Sequence, residues 1–148
     1  MKPRQKFILH SISLLVIITI AVVGMINFRG LVNRSEAVRA MEHLSRIVRQ
    51  YRTENGSVPP ESYVDNIKEN LEGYVRLGKL HYRAMWIDLE ATPDEILAYS
   101  KKNYFFPIVG EGVVVLRLDG RVEWMNTQEF ELLLAQQQSS EEIRMLQQ

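Results

Sequence analysis

The sequence predicts an α+β protein in which one long N-terminal helix, membrane-spanning in its first part, packs on a small antiparallel sheet. Residues 7–28, "FILHSISLLVIITIAVVGMINF", run for 22 residues without a formal charge. Residues 29–56 repeat apolar side chains at spacings near three, four and seven, which continues the helix as an amphipathic one. Residues 112–125, "GVVVLRLDGRVEWM", alternate apolar and polar side chains about an Asp-Gly pair, which is the pattern of a β-hairpin.

Composition and charge limit the class of protein. The 148 residues are 46% hydrophobic and 24% charged, the balance of one modest globular domain rather than of a disordered chain. Residues 1–56 carry nine Lys and Arg against three acids, whereas residues 57–148 carry nine against fifteen. The basic first part and the acidic second part could attract each other, within one chain or between copies of the chain. Alternatively, both are simply solvated. The lack of cysteine excludes a disulfide, a lipoprotein anchor, a Cys-based zinc site and a thiol nucleophile.

Residues 7–28 are predicted to form a transmembrane helix. At about 1.5 Å per residue they reach roughly 33 Å, and the hydrocarbon core of a bilayer is about 30 Å thick. The basic residues 1–6, "MKPRQK", also suit a cleavable signal peptide, which is the alternative. An uncleaved anchor is favoured because the apolar run is longer than an ordinary signal and no small-x-small site closes it. Charge alone leaves the orientation open because basic residues flank both ends: Lys2, Arg4, Lys6, Arg29, Arg34, Arg39 and Arg46.

The amphipathic helix of residues 29–56 is predicted to pack against its own domain, with a partner helix as the alternative. Its apolar stripe consists of Leu31, Val38, Met41, Leu44, Val48 and Tyr51. The stretch "YRTENGSVPP" ends this helix. Gly56 tolerates the left-handed conformation that terminates helices, and Pro59 and Pro60 prevent the helix from resuming.

Residues 57–134 are predicted to complete the domain, and residues 135–148 to form a polar, frayed tail. The predicted elements are a short helix over Glu61–Gly73, two strands within Tyr74–Trp86, a helix over Thr92–Lys102 capped by Thr92, a hairpin over Gly112–Met125 with a two-residue turn at Asp119 and Gly120, and a final helix from Asn126 or Thr127 to Leu134. The expected core residues are Val38, Met41, Leu44, Val48, Tyr51, Val114, Leu116, Leu118, Val122 and Trp124.

No catalytic, cofactor-binding or metal-binding residue is predicted, and the protein is therefore expected not to be an enzyme. His10, His43 and His81 are far apart and pair with no carboxylate at metal-ligand spacing. Residues 88–95, "DLEATPDE", group four acids that could attract calcium, but they lack the ligand spacing of an EF-hand loop. The start of the predicted helix accounts for two of these acids. The sequence has no phosphate-binding glycine loop and no nucleophile elbow.

The arginine-rich residues 29–52 are basic enough to bind anionic lipid or nucleic acid. They offer no aromatic platform on which bases could stack, and they directly follow the predicted membrane span. We therefore expect this face to be solvated or to contact lipid. The lipid bilayer is an expected partner, and no nucleic acid is expected.

The order of these elements, together with two short motifs, resembles the pilin-like proteins, especially the pseudopilins of type II secretion systems. Those proteins commonly end the long helix with Tyr-Arg-x-x-Asn-Gly-x-x-Pro, and this chain has Tyr51, Arg52, Asn55, Gly56 and Pro59 at those positions. Residues 115–125, "VLRLDGRVEWM", are also similar to the C-terminal Asp-Gly hairpin of a related prepilin-like group.

The resemblance implies a pilin-like fold and a noncatalytic, single-pass component of a type II secretion or pilus-like apparatus in the bacterial cell envelope. It implies an anchor in the cytoplasmic (inner) membrane and a C-terminal domain in the periplasm or otherwise outside the cytoplasm. The expected protein partners are other pilin-like or secretion-apparatus subunits. The alternative is a single-pass envelope protein whose small extracytoplasmic domain is a binding module and enters no filament.

Three positions depart from the family pattern. The family's peptidase cuts after a small residue, usually Gly, but Lys6 precedes Phe7 here. The family tends to place Glu at the fifth mature position, which is Ser11 in this chain, and the related hairpin group has a His where Val109 stands. We therefore predict that the N-terminus stays uncut. The resemblance sets the predicted orientation, with the N-terminus inside and the residues from Arg29 onward outside the cytoplasm.

Overall fold

The computed structural model describes residues 3–88, 90–102 and 111–146, so that Val109 lies outside the described residues. The helices and strands are α1 (Pro3–Asn55), α2 (Glu61–Ile67), α3 (Tyr74–Leu77), β1 (His81–Tyr82), β2 (Ile96–Lys102), β3 (Gly112–Arg117), β4 (Val122–Asn126), α4 (Thr127–Gln137) and α5 (Ser140–Leu146). Short 3₁₀ turns occupy Lys68–Asn70 and Ala84–Trp86. One long helix packs on a small antiparallel sheet, so the predicted α+β class is confirmed.

The second half of α1 forms one wall of the core. Met41, Leu44 and Val48 are buried as predicted, and Ala37 and Ala40 are buried beside them. The two alanines have no side chain beyond Cβ, so the α1 backbone can approach the sheet closely. The apolar stripe begins later than predicted because Leu31 is 54% exposed. Two of the core residues predicted in α1 are only partly buried: Val38, which packs against the core, and Tyr51, whose ring lies 4.9 Å from that of Tyr63.

The four strands form one antiparallel sheet in the order β1-β2-β3-β4. Alternate residues of β3 point to opposite faces, and each face is covered by a different helix. On the α1 side lie Leu97, Ala98, Val114 and Leu116, with Leu118, Val122 and Trp124 partly buried against them. On the α4 side lie Ile96, Tyr99, Val113, Val115 and Met125, with Phe130 and Leu134 of α4. A β-bulge between Ile96 and Ala98 explains why the adjacent Leu97 and Ala98 contact the same cluster.

The predicted end of the long helix is confirmed. Asn55 is the last residue of α1, and Gly56 follows with a φ of 76°. The Gly56 N–H donates to the Arg52 carbonyl at 2.8 Å, which satisfies one of the free carbonyls at the helix end. The chain then turns back onto the sheet, where the Tyr82 hydroxyl donates to the carbonyl of Pro59 at 2.8 Å.

The predicted hairpin between β3 and β4 is confirmed, but its turn has three residues rather than two. The Gly120 N–H donates to the Arg117 carbonyl at 2.9 Å, and the Arg117 N–H donates to the Arg121 carbonyl at 2.9 Å. A two-residue Asp-Gly turn needs a positive φ at both residues, whereas here only Gly120, at 90°, has one. The residues at the turn are therefore Leu118, Asp119 and Gly120.

The helix predicted over Thr92–Lys102 is wrong, because residues 96–102 form strand β2. The residues read as a helix cap make a turn instead, in which the Glu95 N–H donates to the Thr92 carbonyl at 3.0 Å, and Pro93 takes a turn position that suits its fixed φ. Residues 96–100 are all buried. A strand covered on both faces reads as a continuous apolar run, which periodicity cannot distinguish from a helix.

The first of the two strands predicted within Tyr74–Trp86 is wrong, and the second is reduced to the two residues of β1. The residues before β1 form α3, a single helical turn that packs on α1. Gly73, at a φ of 79°, approaches α1 so closely that an added Cβ would lie 2.6 Å from the Glu36 carbonyl oxygen. This long-range packing is absent from the local pattern. The short helix predicted before it is confirmed as α2, which ends at Ile67 rather than Gly73.

The final predicted helix is confirmed, and the frayed tail is wrong. The side-chain oxygen of Asn126 accepts from the Glu129 N–H at 2.8 Å and caps α4, which continues to Gln137 rather than ending at Leu134. Residues 140–146 form α5, in which Glu142 is 1% exposed.

The hairpin turn is attached to α1 by side chains of the helix. The Ser45 hydroxyl donates to the Gly120 carbonyl at 2.7 Å, and the Arg52 guanidinium donates to the Leu118 carbonyl at 2.7 Å. A Cβ added to Gly120 would lie 3.0 Å from Nε of Arg49 and 3.2 Å from Oγ of Ser45. The turn therefore depends on glycine for its backbone conformation and for its contact with the helix.

We expect Gly120→Ala to lower the free energy of unfolding by about 2 kcal/mol, since a left-handed conformation costs a residue with a Cβ roughly 1–2 kcal/mol and the added methyl must also displace Arg49. Ser45→Ala, which removes one hydrogen bond, should cost about 1 kcal/mol. Thermal unfolding of the detergent-solubilised chain, followed by circular dichroism, measures both effects. Gly24→Ala is the matched control, because an added Cβ there meets no atom within 4 Å. Equal melting temperatures for the Gly120 and Gly24 variants would contradict this account of the turn.

Candidate functional site

The first half of α1 projects from the domain as an exposed apolar helix. Among the described residues, α1 is the one helix long and apolar enough to cross a membrane, and none of its most apolar 18-residue window is buried. Its large side chains lie in the open, among them Phe7, Leu15, Ile20 and Met25. Transfer of such surface out of water is favourable by about 25 cal/mol per Å². By length and composition this half of α1 is therefore a surface suited to lipid.

The polar side chains within this apolar half bond to the helix itself. The Thr19 hydroxyl donates to the Leu15 carbonyl at 2.9 Å, and the Asn27 amide donates to the Val23 carbonyl at 2.9 Å. Nδ1 of His10 lies 2.8 Å from the Lys6 carbonyl, a contact that requires the tautomer protonated at Nδ1. These bonds reduce the cost of placing polar groups in hydrocarbon, where water cannot satisfy them.

Three arginines of α1 line an open groove beside the hairpin turn. Arg39, Arg46 and Arg49 recur at spacings of seven and three, which puts them on one side of the helix. We call the space that they line the arginine groove. It has a volume of about 530 Å³, and its other lining residues are Glu42, Ser45, Glu72, Gly120 and Val122. Within the described part of the chain, the guanidinium groups of these three arginines make no hydrogen bond or ion pair.

Two other arginines of the same helix support the fold instead. The Arg34 guanidinium lies over the ring of Trp124, 4.7 Å from its centroid, and Arg52 holds the hairpin turn. The sequence could identify the arginine-rich face, since the spacing is visible there. It could not separate the arginines that hold strands from those that are free to bind, because that depends on where the hairpin lies.

A buried ion pair closes the other side of the domain. Nε of Arg83 donates to one carboxylate oxygen of Glu142 at 2.7 Å and Nη2 donates to the other at 2.9 Å, and both side chains are at most 3% exposed. Two of the three remaining N–H groups donate to carbonyls, Nη1 to that of Ile96 at 2.7 Å and Nη2 to that of Gln137 at 3.2 Å. The pair thereby ties the loop after β1 to β2, α4 and α5. Four of the five guanidinium N–H groups thus have an acceptor among the described residues.

Sequence reasoning missed this pair, although one signal for α5 was present. Ser139 precedes Glu142 by three residues, as in a capping box, and the Ser139 hydroxyl accepts from the Glu142 N–H at 3.2 Å. That signal predicts the helix start. It does not predict that Glu142 meets Arg83, which lies 59 residues earlier.

A smaller cavity of about 280 Å³ lies beside the ion pair, and its lining includes His81, Tyr99, Trp86 and Met145. The His81 ring stacks on Tyr99, with the ring centroids 4.8 Å apart and the planes at 7°. Burial lowers the pKa of His81, and the positive charges of Lys79 and Lys101 lower it further. Both effects favour the neutral form of the imidazole.

The structure does not bring the three histidines together. His10 lies on the apolar half of α1, His43 accepts from the Glu72 N–H at 3.1 Å, and His81 stacks in the sheet. Among the described residues, no group of three or more His, Cys, Asp or Glu is placed to hold a metal ion.

The acidic stretch of residues 88–95, of which Leu89 is outside the described residues, is arranged differently from the prediction. Its acids do not start a helix, because β2 follows. Asp94 instead forms an ion pair with Arg121, which also bonds Asp119 at 2.5 Å. Burial alone would raise the pKa of Asp119, but the hydrogen bonds from the backbone and side chain of Arg121 outweigh it and lower that pKa.

No family model matches this chain, and comparisons with curated proteins and with solved structures also find no match. The function is therefore inferred from the residues and geometry of the chain itself.

Arg83→Met should lower the free energy of unfolding by about 3–5 kcal/mol, because it leaves the Glu142 carboxylate buried without its partner. Replacing both residues by Met should cost clearly less than the sum of the two single changes, since neither charge is then stranded. Chemical unfolding of the solubilised chain measures this coupling. Arg144→Ala, at an exposed position of α5, the helix that carries Glu142, is the control and should change the stability by less than about 0.5 kcal/mol. Additive costs for the two single changes would show that the pair does not act as a unit.

The domain should lose stability as the pH falls from about 7.5 to 5.5, in part through His81. Its pKa in the folded protein lies below the ordinary value of 6.5, so the unfolded chain binds the proton more readily in this window and acid favours unfolding. His81→Phe keeps a ring against Tyr99 but cannot bind the proton, so its melting temperature should fall less on acidification. The difference between the two pH curves is the quantity to measure. Parallel curves would mean that His81 titrates normally.

Proposed function

We propose that the protein is a noncatalytic, membrane-anchored, pilin-like component of a type II secretion or pilus-like apparatus. The observation that carries this proposal is the continuity of α1, a 53-residue helix whose exposed apolar half leads without interruption into the half that packs on the sheet. A helix of that length extends about 80 Å. An anchor and a domain joined in this way form one rigid rod with a globular end, which suits assembly through parallel helices.

The two motifs behind the family resemblance both have a place in this architecture. The Tyr51 to Pro59 stretch ends α1 and returns the chain toward the sheet. The Asp-Gly hairpin lies against the end of the same helix through Ser45 and Arg52. Both motifs therefore serve the junction between helix and sheet, which supports an assignment based on architecture rather than on a reactive site.

The noncatalytic assignment rests on what the polar side chains do. The Arg83–Glu142 pair holds α5, His43 caps a backbone N–H, and Asp119 stabilises its own turn. Each has a partner that accounts for its position through the fold. None is combined with a second group that could act on a substrate within the described part of the chain.

A second candidate function is a single-pass envelope protein whose domain binds a partner and enters no filament. The arginine groove favours it, because three guanidinium groups that make no hydrogen bond or ion pair with the described residues line an open space of about 530 Å³. Guanidinium groups bind carboxylates and phosphates in paired hydrogen bonds. The residues that depart from the family pattern, Lys6 and Ser11, are also compatible with a protein that is not processed for assembly.

The processing and the orientation of the anchor test the proposal. Mass spectrometry of the membrane-extracted protein should show a chain that was not cut before Phe7, whereas Lys6→Gly, which restores the small residue, should yield a chain that begins at Phe7 in a host with a prepilin peptidase. Protease added to intact spheroplasts should digest the residues after Arg29. Protection of those residues until the membrane is opened would mean the reverse orientation and would exclude the secretion function.

Neighbouring genes distinguish the two candidate functions. Genes for a secretion ATPase or a prepilin peptidase beside the gene for this chain would support the pilin-like component. Their absence would favour the stand-alone binding module.

A further inference from the structure

One end of the sheet is level with the point where α1 leaves the domain. Lys102 is paired with Gly112 across β2 and β3, and the Trp124 ring covers Gly112, so that an added Cβ there would lie 2.2 Å from the ring. Arg34 of α1 lies over that same ring. The ends of β2 and β3 therefore lie beside Arg34, on the side of the domain that leads to the apolar half of α1. We call this the anchor end of the domain.

The anchor end carries an excess of positive charge. The described basic residues at or beside it are Arg29, Arg34, Arg76, Lys79, Lys101 and Lys102, and the described acids are Glu36, Glu111, Glu129 and Glu131. Arg76 pairs with Glu36 at 3.3 Å and Lys101 with Glu131 at 3.2 Å, both pairs being exposed. Arg29 and Lys79 are exposed and make no hydrogen bond or ion pair with another described residue.

The fold, not the sequence order, brings Lys79 to this end. His81 pairs with Tyr99 across β1 and β2. Because the two strands are antiparallel, continuing that register by two residues puts Lys79 opposite Lys101. Lys79 thus lies beside the other cations although it follows Arg29 by fifty positions in the chain.

The opposite end of the domain carries charges of both signs. The hairpin turn and the loop before β2 meet there, since the Leu118 N–H donates to the Glu95 carbonyl at 2.8 Å. The acids of these two segments are Asp88, Glu90, Asp94, Glu95 and Asp119, and their cations are Arg117 and Arg121. Arg49 and Arg52 of α1 also lie against the hairpin turn. This end therefore has no excess of positive charge, in contrast to the anchor end.

Distances along α1 limit what can contact the anchor end. The rise of a helix puts the Cα atoms of Arg29 and Arg34 about 1.5 and 9 Å beyond Phe28, the last residue of the apolar run. The polar layer on each side of a bilayer is roughly 5–7 Å thick, and surface charge acts over about a further 8–10 Å at ordinary salt. Arg46 and Arg49, at roughly 27 and 32 Å, lie beyond that range.

We propose that the anchor end of the domain is a docking surface for the anionic headgroups of the membrane that α1 spans. The inference rests on the proposed anchoring of α1 in a bilayer. Trp124 beneath Arg34 suits this position, since tryptophan favours the boundary between hydrocarbon and water. The opposite end has no such excess of positive charge, so attraction to a negatively charged surface favours the orientation in which the anchor end faces it.

The test compares the association of two lipids with the full chain in bilayers of phosphatidylcholine containing phosphatidylglycerol. Electron paramagnetic resonance of spin-labelled lipids gives the ratio of their association constants with the protein. We expect phosphatidylglycerol to be favoured by roughly threefold at low salt, and the preference to vanish near 1 M salt, where the screening length is about 3 Å. No preference for the anionic lipid at low salt would overturn the proposal.

Charge-neutralising variants identify the residues responsible. Arg29→Gln with Lys79→Gln should remove at least half of the preference, and Arg46→Gln with Arg49→Gln, an equal change of charge far from the membrane, should leave it unchanged. Lys79→Gln alone tests the folded domain, because Arg29 adjoins the span in any fold. If Lys79→Gln has no effect and Arg29→Gln accounts for the whole loss, the flanking segment binds the lipid and the docking surface is excluded.

Flotation of the vesicles separates the failure of this inference from the failure of the proposed function. A chain that does not float with vesicles is not anchored, which contradicts both. A chain that floats and resists extraction by salt, but shows no preference for phosphatidylglycerol, contradicts only the docking surface.

Discussion

The rigidity of α1 is the constraint on which the rest of the structure depends, because one unbroken helix both leaves the domain and forms a wall of its core. The rise and rotation of a helix are fixed, so the positions of Ala37, Met41 and Leu44 against the sheet determine the direction in which the apolar half projects. They also determine the distance of every other element from that half. A flexible link between the anchor and the domain would leave both this direction and these distances undefined.

The second face of the sheet shows how a small domain on a long helix completes its core. Residues Tyr99, Val113 and Val115 would face water if α1 were the only covering helix. Helix α4 covers them with Phe130, and the Arg83–Glu142 pair then fixes α5 at the edge. A buried ion pair contributes less to stability than apolar packing of the same volume, but it accepts few alternative arrangements. Its role here is to define how the end of the chain closes on the domain.

The sequence predicted those elements whose signals are local. Gly56 ended α1, Gly120 marked the hairpin, and Asn126 capped α4, each through the backbone conformation or hydrogen bond of a few neighbouring residues. It failed where burial overrides local pattern, as in β2, which is covered on both faces, and in α5, which is held by Arg83. The arginine groove lies between these cases. Helical spacing shows its arginines on one side of α1, but only the docked hairpin makes a groove beside them.

The strand order determines where on the domain the charged residues of the sequence lie. Antiparallel strands return the chain repeatedly to the same two ends of the sheet, so the ends of β2 and β3 lie beside Arg34, and the turn between β3 and β4 lies beside Ser45 and Arg52. The cations gathered at the first end therefore come from segments that are far apart in sequence. A net charge of zero conceals this local excess, because it sums over the whole chain. For a domain held on a rigid helix, the separation of charge along that helix matters more than the total, because only the nearer end lies within the screening length of a membrane surface.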